Sequence, residues 1–150
     1  MIRIEYPEPV FRTRIHAGRD EIFDPLRKSW VRLTPEEWVR QQILRWMTEV
    51  LEYPPGMIAV EKELTVGEMK KRFDLLLYDP SHKPWMLVEC KAPSVELTEK
   101  TLMQVLRYNM KVQAAYLVIT NGHSCFAADI RAQPAAWILN MPMYPEREKG

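Results

Sequence analysis

The stretch of sequence that decides the fold is residues 72–93, which reads RFDLLLYDPSHKPWMLVECKAP. Two short apolar runs, 73–78 and 85–90, flank a segment of aspartate, proline, serine and histidine that is typical of a turn. Runs that are apolar at nearly every position are typical of strands covered on both faces, as in α/β proteins. The stretch therefore predicts a hairpin within the sheet of an α/β domain.

Three charged residues interrupt this apolar hairpin. A symmetric pairing about the turn places Asp74 opposite Glu89 and Asp79 opposite Pro84, which leaves residues 80–83 as the loop. Opposed residues share a face, and Lys91 shares it too because strand side chains alternate. We expect two carboxylates and one ammonium to converge at one end of the hairpin. The opposite, core face is predicted to carry Phe73, Leu75, Leu77, Met86, Val88 and Cys90.

This trio of charges admits two interpretations. Two close carboxylates repel each other, and a hard divalent cation such as magnesium relieves the repulsion. Such an ion activates water and stabilises charge on a phosphoryl oxygen, and a neighbouring lysine supports either role. The alternative is a structural ion-pair cluster, which the spacing taken alone favours. The apolar surroundings favour chemistry, because charges among leucines and valines are costly to bury.

The rest of the chain supplies the elements around the hairpin. Thr34-Pro35-Glu36-Glu37 predicts a helix start, with a core stripe of Val39, Ile43, Trp46 and Val50. Alternating or apolar segments predict strands at 10–16, 57–66, 115–120 and 124–128, and Asn121-Gly122 predicts the hairpin turn between the last two. A second helix is predicted over 98–112. The order is strand, helix, three strands, helix, two strands.

Composition bounds the class of protein. The chain of 150 residues is long enough for one hydrophobic core. We divide it into an N-terminal extension with a short strand or hairpin (1–33), a core (34–128) and a C-terminal tail packing on that core (129–150). No stretch predicts a membrane span or a signal peptide. Cys90 and Cys125 lack metal-site spacing, and we expect buried thiols in a reducing compartment, the cytoplasm.

The charge balance is almost neutral. The net charge of +1 argues neither for nor against nucleic acid as a partner. The first 33 residues carry seven basic side chains against five acids, a weak excess that a solvated surface explains equally well.

Five stretches, taken in order, resemble one known group of proteins. Arg72-Phe73-Asp74 and Leu87-Val88-Glu89-Cys90-Lys91-Ala92-Pro93 resemble the core motif of the PD-(D/E)XK nuclease superfamily, and more narrowly that of the N-terminal nuclease domain of type I restriction enzyme R subunits. The other three stretches match that domain's first-helix motif, its QxxxY helix and the strand and turn that follow. They are Glu36–Arg40, Gln104–Tyr108 and Tyr116–Gly122.

The resemblance implies a fold, an activity and a cofactor. The fold would be a restriction-endonuclease-like core of helix, three-stranded antiparallel meander, helix and strand, with a mixed central sheet flanked by helices. The activity would be that of a magnesium-dependent deoxyribonuclease, more readily an endonuclease than an exonuclease, with manganese able to substitute. Asp74 and Glu89 would bind the metal with help from the Cys90 backbone carbonyl, and Lys91 would be the catalytic lysine.

The resemblance also implies supporting residues and partners. Glu36 would be the first-helix acid, favoured over Glu37, which suits a capping box with Thr34. Gln104 and Tyr108 would bind the DNA substrate. R subunits continue into an ATP-driven motor, and no P-loop occurs in these 150 residues. An alternative is therefore a nucleic-acid- or partner-binding module that is inactive alone and works with other restriction-modification or repair subunits.

Overall fold

The computed structural model describes residues 1–8 and 10–146, which form two sheets and two helices. A short 3₁₀ turn, Pro55–Met57, precedes the fourth strand. The elements in chain order are β1 (Thr13–His16), β2 (Arg19–Asp24), β3 (Ser29–Arg32), α1 (Pro35–Glu49), β4 (Ile58–Val66), β5 (Met69–Tyr78), β6 (Pro84–Cys90), α2 (Glu99–Asn109), β7 (Tyr116–Thr120), β8 (Cys125–Asp129) and β9 (Ala136–Ile138).

The central sheet has six strands in the order β4-β5-β6-β7-β8-β9. Each pair of neighbours is antiparallel except β6 and β7, which are parallel and are connected through α2. Parallel neighbours need such a crossover, because a tight turn can only reverse the chain. The predicted α/β architecture, a meander followed by a helix and a parallel strand in a mixed sheet, is confirmed.

The central sheet is covered on both faces. One apolar cluster joins alternate residues of β5 and β6, such as Leu75 and Val88, to Val39, Ile43 and other residues of α1. A second cluster joins the intervening sheet residues, including Leu76 and Leu87, to α2. The prediction for Phe73 is wrong, because it packs in the second cluster and not with Leu75. The backbone opposite this point is irregular, with Glu61 at φ +53°, and the strict alternation of faces fails there.

The β5–β6 hairpin has the predicted register over its core. Leu75 faces Val88, and Leu77 faces Met86. Closer to the turn the register shifts, so that Tyr78 and not Asp79 lies opposite Pro84. The loop is therefore 79–83 and not 80–83. Asp79 causes the change, because its Oδ1 accepts the backbone N–H groups of Ser81 and Lys83 and closes a wider turn.

The first helix begins at the predicted Thr34 cap, and Thr98, predicted as the first residue of the second helix, is its cap; both helices end earlier than predicted. Thr34 Oγ1 accepts the Glu37 N–H at 3.0 Å, and Thr98 Oγ1 accepts the Thr101 N–H at 3.2 Å. Val50 is 51% exposed after α1, so its assignment to the core stripe is wrong. The second helix ends at Asn109 and not at residue 112.

The terminal segments are more ordered than the sequence predicted. Residues 13–32 form a three-stranded antiparallel sheet, β1-β2-β3, where a strand or a hairpin was expected. After β8, a further strand, β9, pairs with β8. The tail reaches back to the core, since Tyr53 Oη donates to the Pro142 carbonyl at 2.6 Å and Tyr144 Oη to the Tyr78 carbonyl at 2.7 Å. The last part of the predicted tail, 147–150, lies outside the described residues. Neither helix of the described chain is long and apolar enough to cross a membrane.

Candidate functional site

Asp74 and Glu89 lie on neighbouring strands at the end of the hairpin away from its loop. The observed pairing of Leu75 with Val88 places Asp74 opposite Glu89 when it is extended by one residue. The predicted register is therefore observed as far as the Leu75–Val88 pair, and the opposition of Asp74 and Glu89 is its continuation by one residue. Arg40 from α1 and Asn109 from α2 also contact this end of the hairpin.

The Asp74 carboxylate is held by the backbone of the neighbouring strand. Its Oδ2 accepts the Cys90 N–H at 2.8 Å, and its Oδ1 lies 3.7 Å from Nη2 of Arg40 in α1. Burial raises the pKa of Asp74, and the nearby charges of Glu36 and Glu89 raise it further, although the Cys90 N–H and Arg40 oppose the shift. The ionised form of Asp74 is therefore one that additional positive charge would stabilise.

The Glu89 carboxylate is held by side chains from β5 and α2. Its Oε1 lies 2.7 Å from Lys71 Nζ and accepts Asn109 Nδ2–H at 3.1 Å. Asn109 is fully buried, and its Nδ2 also donates to the Val105 carbonyl at 2.8 Å. The side chains of Lys71 and Glu89 are only 10% and 12% exposed. The Glu89 carboxylate is therefore largely buried, and its charge is compensated by Lys71 and by the Asn109 hydrogen bond.

Lys91 follows directly after β6 and is half-buried. Its backbone N–H donates to the Thr120 carbonyl at 2.8 Å, which fixes the chain at this point. Among residues 1–8 and 10–146, no ion pair within 4 Å involves its ammonium group. Lys91 therefore lies at the end of the strand, two positions after Glu89 in the chain, and no ion pair among the described residues engages its charge.

Cys90 lies between the two groups but points into the core. It packs with Leu75 and Val88 in the cluster beneath α1, and burial raises the pKa of its thiol well above the ordinary value. A buried thiol of raised pKa is a poor source of the nucleophilic thiolate. Cys90 contributes to the site through its backbone N–H, which donates to Asp74 Oδ2.

The first-helix acids have different environments. Glu37 is buried, and its carboxylate contacts Arg27 at 2.6 Å, Gln41 at 3.0 Å and Arg40 at 3.1 Å. Only its backbone N–H serves the Thr34 cap, so the side chain is not the capping-box partner that was expected. Glu36 is exposed, and its charge acts on Asp74. Of the two, Glu36 is the acid whose carboxylate is not committed to a buried ion pair.

Arg40 is a site residue that the sequence reasoning did not identify. Its side chain is 8% exposed and lies between Glu37, Glu61 at 3.0 Å and Asp74. Burial alone would lower the pKa of Arg40, but these acids outweigh it and raise the pKa above the ordinary value. A basic residue one turn after Glu37, beside the core positions Val39 and Ile43, was the available signal.

Lys71 and Asn109 were also not predicted. Lys71 lies in the part of β5 before Phe73, a polar stretch that was not recognised as strand. Asn109 lies on the stripe of α2 that also carries Leu102 and Leu106, and a polar residue on an apolar stripe was the signal for it.

Gln104 and Tyr108 lie together on the exposed side of α2. They line a groove with Met69, Arg107 and Lys111. The Tyr108 ring is half exposed, and Lys71 Nζ lies 3.8 Å from its centroid. The predicted substrate-binding stripe is therefore adjacent to the lysine that contacts Glu89.

The donor set at this end of the sheet fits a hard cation that retains water ligands. In the described part of the chain no three Asp, Glu, His or Cys residues cluster closely enough to bind a metal by side chains alone. Magnesium, however, often uses one or two carboxylates and several waters. Asp74 Oδ2 and Glu89 Oε1 are engaged by Cys90, Lys71 and Asn109. Glu89 Oε2 lies outside those hydrogen bonds, and Asp74 Oδ1 lies 3.7 Å from Arg40 Nη2.

Comparison with known proteins identifies a family and shows a distant structural likeness. Residues 35–142 match the family model described as type I restriction enzyme R protein N terminus. A crystal structure from Anabaena variabilis ATCC 29413, of a candidate nuclease belonging to DUF820, is similar at 9% sequence identity with a TM-score of 0.48, over 87% of this chain and 78% of that one. No curated protein matches the sequence at a significant level.

Proposed function

The chain belongs to the family of type I restriction enzyme R protein N termini, and we propose that it is a metal-dependent nuclease that hydrolyses phosphodiester bonds in DNA. The observation that carries the proposal is the pair of desolvated carboxylates, Asp74 and Glu89. Each has one oxygen held by short hydrogen bonds; the second oxygen of Asp74 lies 3.7 Å from Arg40 Nη2, and that of Glu89 lies outside those bonds. Endonuclease activity fits better than exonuclease activity, by analogy with restriction enzymes.

Magnesium is the proposed cofactor, with manganese able to replace it. Asp74 and Glu89 would bind it, with the Cys90 backbone carbonyl as a third oxygen donor. Once bound, such a cation lowers the pKa of a water ligand and neutralises charge on a phosphoryl oxygen.

The protein residues around the two acids position them for this role. The Cys90 N–H and Arg40 hold Asp74, while Lys71 and Asn109 hold Glu89. Lys91 would donate to a non-bridging phosphate oxygen or hold the attacking water, since its ammonium group is free of ion pairs among the described residues. Glu36 would orient that water from the other side of Asp74, and Gln104 and Tyr108 would contact the DNA backbone along α2.

The decisive experiment is cleavage of supercoiled plasmid and of linear DNA. We expect nicking with magnesium or manganese, none with EDTA, and loss of cutting in Asp74→Asn and Lys91→Met. Matched controls are Glu63→Gln and Lys62→Met, which change exposed residues of β4 and should leave the rate within about twofold. Cutting that persists in both site variants would disprove the assignment. Nicking of a closed circle would identify an endonuclease.

A second candidate function is a DNA- or partner-binding module that does not cut by itself. The observation that favours it is internal neutralisation, because Lys71 and Arg40 already lie against Glu89 and Asp74. Partners would be other subunits of a restriction-modification or repair system. The free, buried cysteines are compatible with work in a reducing cytoplasm.

Calorimetric titration with manganese separates the two candidates. The nuclease proposal expects manganese binding that weakens at least tenfold in Glu89→Ala. The binding-module proposal expects DNA binding in a gel-shift titration without cleavage in magnesium, manganese or calcium.

A further inference from the structure

The N-terminal sheet has one strongly basic face. In β1-β2-β3, Arg14 lies opposite Glu21 and Glu21 opposite Arg32, while Phe23 lies opposite Trp30. Arg12 faces Phe23, since the Phe23 N–H donates to the Arg12 carbonyl at 2.9 Å. Because opposed residues and alternate residues share a face, these side chains lie on one side of the sheet. We call this the basic face, defined by Arg12, Arg14, Arg19, Arg32, Phe23 and Trp30.

The charges on the two sides of this sheet are segregated. The four arginines of the basic face are exposed, and Glu21, paired with Arg14 at 2.7 Å, is the one acid among the strand residues on that side. The opposite side carries no basic residue in the three strands, and it includes the buried Ile22 and Asp24. A nearly balanced total charge over residues 1–33 thus conceals an asymmetric distribution. A face with this excess of positive charge favours a polyanion as its partner.

The aromatic rings of the basic face fix two of its arginines. The Arg14 guanidinium carbon lies 4.3 Å from the centroid of the Trp30 ring, and that of Arg12 lies 4.8 Å from Phe23 and 5.4 Å from Trp30. Stacking uses the flat face of a guanidinium and leaves its in-plane N–H groups directed elsewhere. Arg14 Nε already donates to Glu21 Oε1 at 2.7 Å. The remaining N–H groups match the geometry of phosphate oxygens, and less side-chain entropy is lost on binding because the groups are already ordered.

The sheet is attached to the candidate site through ion pairs. Arg27, in the turn between β2 and β3, contacts Asp24 at 2.5 Å and Glu37 of α1 at 2.6 Å. Glu37 in turn contacts Arg40, which lies 3.7 Å from Asp74. An edge-to-face contact of Phe11 with Trp38 adds an apolar attachment to the same helix. The basic face is therefore held in a fixed position relative to the two acids.

We propose that the basic face binds the phosphate backbone of the DNA on which the Asp74–Glu89 site acts, so this inference rests on the proposed function. The contact is with the backbone and is independent of base sequence, because stacked arginines offer charge and N–H groups but no base-reading pattern. Double-stranded DNA is the expected form. The Trp30 ring is already covered by Arg14, which leaves it poorly placed to stack an unpaired base.

The test measures binding in EDTA, where cleavage is absent, with a fluorescently labelled duplex and the matching single strand over a range of salt concentrations. Arg14→Gln/Arg32→Gln should weaken duplex binding about tenfold or more and reduce the slope of log affinity against log salt by about 1.8, roughly 0.9 per lost phosphate contact. Trp30→Leu keeps all charges and should weaken binding about two- to fivefold with the slope unchanged. The control Lys83→Gln/Arg131→Gln also removes two positive charges, at the end of the central sheet away from Asp74 and Glu89. It should change the affinity and the salt slope less than Arg14→Gln/Arg32→Gln does.

The outcomes are separable from those of the cleavage assay. If the basic-face variants bind duplex as the wild type does, or if the wild type binds no DNA, this proposal is overturned. A third outcome is that the basic-face variants lose duplex binding, Asp74→Asn retains it, and neither the wild type nor any variant cleaves DNA. In that case the basic-face proposal is supported and the nuclease proposal fails. Tighter binding of the single strand that depends mainly on Trp30 would overturn the backbone contact in favour of base stacking. Circular dichroism and thermal unfolding confirm that each variant is folded.

Discussion

Replacing Lys71 with methionine tests most directly how strongly the Lys71–Glu89 pair stabilises the protein when no metal is bound. The Lys71 ammonium lies 2.7 Å from Glu89, and both side chains are about nine-tenths buried. Removing one partner of a buried ion pair leaves an uncompensated charge and costs about 3–5 kcal/mol. The contact with the half-exposed Tyr108 ring adds about 0.5–1 kcal/mol. The Asn109 hydrogen bond remains and offsets part of this loss. We expect the free energy of unfolding to fall by about 3 kcal/mol.

The assay is urea denaturation in EDTA and again with saturating manganese. A bound ion stabilises the folded state by about 2.7 kcal/mol at one hundred times its dissociation constant. Under the proposed function, manganese supplies the charge that Lys71→Met removes. The variant should therefore gain more stability from manganese than the wild type does, because the wild type already has an ammonium group against Glu89.

The matched control is Lys70→Met, which changes the preceding, exposed lysine and should cost less than about 0.5 kcal/mol. The double variant Lys71→Met/Glu89→Gln removes both charges and should recover a large part of the loss. A loss below about 1 kcal/mol for Lys71→Met in EDTA, or one equal to that of the control, would refute the reasoning that this pair is buried and coupled.

Two further predictions concern other parts of the fold. Burial alone would raise the pKa of Asp24, but the side chain and backbone N–H of Arg27 and the backbone N–H of Leu26 outweigh it and lower the pKa below its ordinary 3.8. The stability that the Asp24–Arg27 pair contributes is therefore present above about pH 4 and is lost as the pH falls further. Asp24→Asn should lower the free energy of unfolding by about 3 kcal/mol at pH 7, and its difference from the wild type should shrink when unfolding is measured at decreasing pH. An unchanged difference at pH 3 would contradict this. Gly122→Ala should lower the free energy of unfolding by about 2 kcal/mol in thermal unfolding, because Gly122 has φ +92° and the new Cβ would lie 3.3 Å from Val39 Cγ2. The control Gly67→Ala has a similar backbone, at φ +62°, but its Cβ would meet no atom within 4 Å, so it should cost about half as much. Equal costs would show that the contact with α1 does not matter.

The parts of the fold that could be predicted from the sequence are those set by local pattern. The register of Leu75 with Val88 follows from two apolar runs about one turn, and the Thr34 cap follows from four consecutive residues. The family resemblance and these local signals led to the same architecture. The N-terminal sheet was underestimated because β3 has only four residues and two of them are polar.

The site residues that were missed depend on contacts between distant parts of the chain. Lys71 lies in a polar segment whose strand structure comes from pairing with β4, and its neighbour Glu89 is 18 positions away in the sequence. Arg40 and Asn109 each lie on a helix, and their roles appear only when the helices pack against β5 and β6. Such roles arise from tertiary packing, which no window of sequence contains.

The ion pairs that run from Asp24 through Arg27, Glu37 and Arg40 to Asp74 have a consequence for how this family can change in evolution. Arg27, Glu37 and Arg40, the three middle residues, each contact at least two opposite charges, so replacing one of them with an uncharged residue leaves a buried charge without that partner. A lineage that loses Arg40 is expected to have lost Glu37 or Glu61 beforehand or soon afterwards. Paired changes at these positions, seen across related sequences, would record that history of compensation.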